Sequence, residues 1–104
     1  MNNLEFENEQ CTIEKTKITF PPLYDVIFFN DDVTAFEFVE KVLLDIYHKT
    51  ADQAGELTMA VHNHGSAVVG TYSYDIASTK CNKTITLARE NNFPLKVEIQ
   101  ETRG

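Results

Sequence analysis

Tyr24-Asp25-Val26-Ile27-Phe28-Phe29-Asn30-Asp31-Asp32 is the stretch from which the fold can be read. A short apolar and aromatic run directly after a proline stop suits a buried strand better than a short helix. Pro21-Pro22 supplies that stop, because each ring fixes φ and removes a backbone donor. The run ends abruptly at Asn30-Asp31-Asp32, residues that form turns and cap helices.

Beyond this turn, Phe36, Val39, Val42, Leu43, Ile46 and Tyr47 recur at helical spacing, and Thr34 with Glu37 forms a capping-box pattern. A second box, Thr50 with Gln53, opens another helix. Ala54, Leu57, Thr58, Val61 and His62 share one face of it, and Gly65 offers a C-terminal stop. Ser66 to Tyr72 is β-rich and Ser73 to Glu90 is helix-compatible, while Leu95, Val97 and Ile99 alternate with Lys96, Glu98 and Gln100. The expected order is β-α-α-β-α-β: an α+β fold with a three-stranded antiparallel sheet packed against three helices.

Upstream, residues 1–22 hold only isolated apolar side chains with no sustained period. They read as a flexible N-terminal arm ahead of a single domain over residues 23–104. A chain of 104 residues suits one core, and its 42% hydrophobic and 24% charged fractions are those of a globular protein.

Nine Lys plus Arg against sixteen Asp plus Glu leave a formal charge of −7, which opposes binding to nucleic acid or anionic membranes and favours a cationic ligand such as an ammonium group. No apolar run is long enough to span a bilayer, and Met1 to Gln10 is too acidic for a secretory leader, so a cytoplasmic location is expected. Cys11 and Cys81 lack Cys-x-x-Cys spacing and read as free thiols.

The chemistry-bearing residues cluster at helix ends. Asn30-Asp31-Asp32 carries one carboxylate more than capping needs, and the surplus could accept hydrogen bonds from a ligand cation. His62 shares its face with Leu57, Thr58 and Val61, where a neutral imidazole can lend one nitrogen as an acceptor. The plainer alternatives are turn formation by the first group and helix termination by the second. A metal site drawing on Asp31, Asp32, His62 and His64 is disfavoured, because His-x-His on a helix sets the two rings about 200° apart. No zinc-hydrolase spacing, Gly-x-Ser-x-Gly elbow or phosphate loop is present, so neither catalysis nor a cofactor is expected.

Several of these segments resemble the bacterial ClpS family in order and spacing. They are Tyr24 to Ile27 leading into Asn30 to Thr34, then Glu37-Phe38-Val39, Met59-Ala60-Val61-His62, Gly65, Thr79-Lys80, Ala88-Arg89-Glu90-Asn91 and Pro94-Leu95. The match extends from Leu23 to Glu101. The resemblance implies an α+β adaptor, not an enzyme, that binds proteins beginning with Phe, Tyr, Trp or Leu and passes them to a ClpA- or ClpC-type unfoldase. It places the contacts to the substrate α-amino group on Asn30, Asp31 and His62. It places the side-chain pocket on Phe36, Val39, Leu43, Thr58, Val61 and Leu95, and the unfoldase-facing residues on Asp75 and Lys80. It implies a monomer whose arm is engaged during handover. Phe36 and Thr58 stand where the family commonly has methionine, so a stiffer rim and a roomier wall, with some tolerance of Ile or Val, are expected.

Overall fold

The computed structural model describes residues 20–102. Strand β1 (Leu23–Phe29) leads to helices α1 (Phe36–Asp45) and α2 (Ala51–His64), followed by β2 (Ser66–Ser73), α3 (Tyr74–Glu90) and β3 (Lys96–Glu101). The arm expected over residues 1–22 lies outside the described residues, as does Cys11, except for residues 20–22, which are exposed. Cys81 is a buried free thiol.

The expected three-stranded antiparallel sheet is present, in the order β2-β1-β3. The run that begins at Leu23 is its central strand, which explains its apolar character: Val26 and Phe28 are fully buried. The helices supply Val42, Leu43, Ala54, Val61, Ala77 and Ala88 to the same core. Phe29 pairs with Ser66 on one side and Lys96 on the other, so the C-terminal end of β1 meets the starts of both neighbours. A register shift between Val26 and Ile27 brings Gly70 opposite Val26. A Cβ on Gly70 would run into the Tyr72 ring, which glycine allows to lie close against the strand.

Two helix boundaries differ in their fate. The Thr50–Gln53 box forms reciprocally, with both bonds at 3.1 Å. The Thr34–Glu37 box does not: the N-cap of α1 is Ala35, with no side-chain cap bond. Asp31 is the reason. Its carboxylate accepts the Thr34 N–H at 2.7 Å, the donor that a Glu37 side chain would need, and holds the Thr34 hydroxyl at 2.7 Å on the turn side.

Helix α1 also stops at Asp45, so Ile46 and Tyr47 fall outside it. Tyr47 is nevertheless buried. Its hydroxyl lies 2.8 Å from that of Thr84, and Lys80 Nζ donates to the Ile46 carbonyl at 2.6 Å above the Tyr47 and Tyr72 rings. Helix α3 is thereby fastened to the α1–α2 connection.

The Gly65 N–H makes the last bond of α2, to the Val61 carbonyl at 2.9 Å, and its left-handed φ of 87° then turns the chain out of the helix. The Gly65 carbonyl in turn accepts the Asn30 N–H at 2.9 Å and ties the end of α2 to the end of β1. Gly65→Ala is expected to lower unfolding free energy by about 1 kcal/mol, since a Cβ is disfavoured in this conformation. Urea denaturation should show this as a lower midpoint at unchanged slope.

Candidate functional site

The end of β1, the Asp31–Thr34 turn, the first turn of α1, the inner face of α2 and Leu95 converge on one cleft. Its polar end is made by Asn30, Asp31 and Thr34, and its apolar walls by Phe29, Phe36, Val39, Thr58, Val61 and Leu95. The cavity is small, about 10 Å³, roughly enough for one water molecule. Wider concavities exist, such as the 700 Å³ groove along Glu40, Asp52, Met59 and Asn63, but they are shallow. What distinguishes the small cleft is an ionised acceptor set beside buried apolar walls.

Asp31 shapes the polar end. Oδ1 accepts the N–H groups of Val33 at 2.8 Å and Thr34 at 2.7 Å, and Oδ2 accepts the Thr34 hydroxyl. Turn formation therefore occupies Asp31 itself. A carboxylate offers about four lone-pair positions, and these bonds leave acceptor capacity on Oδ2. Partial burial pushes the Asp31 pKa up, but the backbone and hydroxyl bonds from Thr34, the Val33 N–H and the Arg89 cation together hold it below the usual value. Asp32 is exposed.

His62 is exposed at the rim, its ring 5.0 Å from that of Phe36 in an edge-on contact. Phe36 is 41% exposed, lines the cleft and packs against this imidazole. Thr58 is buried in the wall, and its hydroxyl donates to the Ala54 carbonyl at 2.8 Å, so the polar group is already satisfied within α2. Val39, Val61 and Leu95 are buried and line the cleft, whereas Leu43 is fully buried in the core and is not part of the lining.

Phe29 and Thr34 line the cleft without having been read as site residues; the strand and capping patterns accounted for both. Asp75 and Lys80 lie apart from the cleft on α3. Asp75 is exposed in the first turn. Burial, and secondarily the neighbouring Lys83 cation, lowers the pKa of Lys80, which is held on the Ile46 carbonyl. Among the described residues, no group of three or more His, Cys, Asp and Glu is arranged to hold a metal ion, and no helix is long and apolar enough to cross a membrane.

A family model described as "ATP-dependent Clp protease adaptor protein ClpS" matches residues 19–98. The chain belongs to the ClpS family. The ClpS adapter of Treponema denticola is 42% identical over 98 residues, covering 94% of this chain and 97% of that protein. The ClpS adapter of Campylobacter jejuni strain 81-176 is 39% identical over 90 residues, covering 86% of this chain and 94% of its own. Among solved structures, Agrobacterium tumefaciens ClpS2 bound to L-phenylalaninamide superposes with a TM-score of 0.77 at 37% identity, over 80% of this chain and all of that one. The protein is thus a Clp protease adaptor and not an enzyme.

The depressed Asp31 pKa carries a sign. The unfolded chain takes up the proton first, so stability contributed by ionised Asp31 is whole above the ordinary aspartate value of about 4 and is lost as pH falls through the lower folded value. The stability difference between wild type and Asp31→Asn, followed by denaturation at stepped pH, is expected to be constant above that range and to shrink below it.

Proposed function

We propose that the cleft receives the free first residue of a protein destined for degradation. The ammonium group binds at Asn30, Asp31 and His62, and the side chain packs among Phe36, Val39, Thr58, Val61 and Leu95, with Leu43 behind the wall. One observation carries this reading: Asp31 keeps acceptor capacity in a cleft that is also lined by the buried side chains of Val39, Thr58, Val61 and Leu95. An N-terminal residue has the matching form, since its ammonium carries three donors with an ordinary pKa of about 8 and shares its α-carbon with the side chain. The ligand of the Agrobacterium relative, L-phenylalaninamide, has that form too, with a free amino group beside an aromatic side chain.

A cavity of about 10 Å³ cannot hold a leucine or phenylalanine side chain, so binding widens the cleft, and Phe36, the most exposed of its apolar wall residues, is the side chain that swings away from His62. Exposed side chains change rotamer in picoseconds to nanoseconds, which makes this opening fast. The ring's departure vacates the space beside the exposed His62, whose imidazole then accepts from the ammonium. Phe, Tyr, Trp and Leu are the preferred first residues. The short Thr58, its hydroxyl already bonded to Ala54, extends the range towards Ile and Val.

The loaded adaptor acts as a monomer in the cytoplasm and delivers its cargo to a ClpA- or ClpC-type unfoldase through the α3 surface bearing Asp75 and Lys80. Asp75 is exposed there, and Lys80 anchors that surface to the α1–α2 connection.

Fluorescence anisotropy with peptides differing only at residue one tests the reading. Peptides with free Phe or Leu should bind, Ile should bind more weakly, and acetylation of the amino group should abolish binding because it removes the charge. Asp31→Ala and His62→Ala should each cost about 1.5 to 3 kcal/mol of affinity with circular dichroism unchanged. Equal binding of acetylated and free peptides would overturn the proposal.

A further inference from the structure

We propose that Arg89 is a positioning residue of the cleft, holding Leu95 in place as the wall against which a bound first side chain packs. The inference rests on the reading of the cleft given above and adds to it a residue outside the pocket. Arg89 lies in the last turn of α3, and its Nη1 donates to two carbonyls of the following turn, Phe93 and Leu95, at 2.9 Å each. Between Arg89 and these carbonyls the chain reverses through Asn92 in the left-handed region at φ 63°, and the Phe93 N–H returns to the Ala88 carbonyl at 2.9 Å. The Phe93 ring packs on Phe38 of α1 at 5.0 Å. Leu95 is the product of this reversal: it is 1% exposed, lines the cleft, and sits one residue before β3.

A single guanidinium nitrogen, together with the Phe93–Ala88 bond and the Phe93–Phe38 contact, therefore fixes where the wall stands relative to α1. Its planar geometry suits two carbonyls in fixed directions, which the flexible ammonium of lysine does not reproduce. The Arg89 charge also favours ionised Asp31, after the opposing effect of burial and the larger contributions of the Thr34 and Val33 bonds. One side chain thus influences both halves of the cleft without touching the ligand.

The test uses Arg89→Met and Arg89→Lys in the full chain, titrated with peptides beginning with free Phe, free Leu and acetylated Phe, with the active fraction fixed by stoichiometric titration. Arg89→Met is expected to weaken binding of both free peptides, by about tenfold for Leu, as follows from losing charge-assisted bonds. The Phe-to-Leu affinity ratio should rise by at least about threefold, because a receding wall leaves the smaller side chain short of contact. Arg89→Lys should fall between Met and wild type, and it supplies the same readout if the Met variant does not fold. A merely structural role would lower the active fraction, or weaken both free peptides by one common factor, and either result without a change of ratio overturns the inference while leaving the proposed function standing. Wild type that fails to distinguish free from acetylated Phe would overturn both.

Discussion

The hydrogen bond from the Asn30 N–H to the Gly65 carbonyl holds together two segments that the chain keeps far apart. Asn30 ends the central strand and begins the turn that Asp31 organises, while Gly65 ends the helix that carries Thr58, Val61 and His62. The bond is possible because Gly65 adopts φ 87° and stops α2 where β2 begins alongside β1. Asp31 then fixes Val33 and Thr34, and α1 starts two residues later with Phe36 leaning on His62. Strand end, turn, helix start and helix end form a closed circuit around the cleft.

Charge and packing contribute differently to what this circuit can recognise. The formal charge of −7 draws cations towards the molecule, but exposed charges are screened beyond about 8 Å at physiological salt. Discrimination has to come from contact distance, where the Asp31 carboxylate borders buried apolar walls. The closed mouth is consistent with this division. Phe36 packs on His62 beside an apolar cleft, and under the proposed function an ammonium with an attached side chain displaces it.

Much of the architecture was legible because it rests on local rules. The proline stop and apolar run of β1, the Thr50–Gln53 box, Gly65 and the alternation of β3 all express nearest-neighbour backbone chemistry. The start of α1 was not legible, because two local motifs competed for Thr34 and the shorter reach of Asp31 prevailed over Glu37. Tyr47 kept its place in the apolar pattern yet left the helix, since its partner Thr84 comes from α3. Val39 and Leu43 share one helical stripe, and periodicity alone does not separate a cleft wall from the core behind it. Lys80 and Arg89 resemble solvated helix charges in sequence, and only tertiary structure shows the carbonyls they hold.

The central claim is that one cleft, closed by the Asn30–Gly65 bond, engages the amino group and the first side chain together. Heteronuclear NMR titration with L-phenylalaninamide tests it most directly, because every backbone amide around the circuit reports separately. The account predicts the largest shifts at Asn30, Asp31, Val33, Thr34, Phe36 and His62, with the groove beside Ile46, Asn82 and Lys83 unmoved. Shifts concentrated in that groove or along Asp52 and Met59, with the Asn30 to Thr34 amides unchanged, would contradict it.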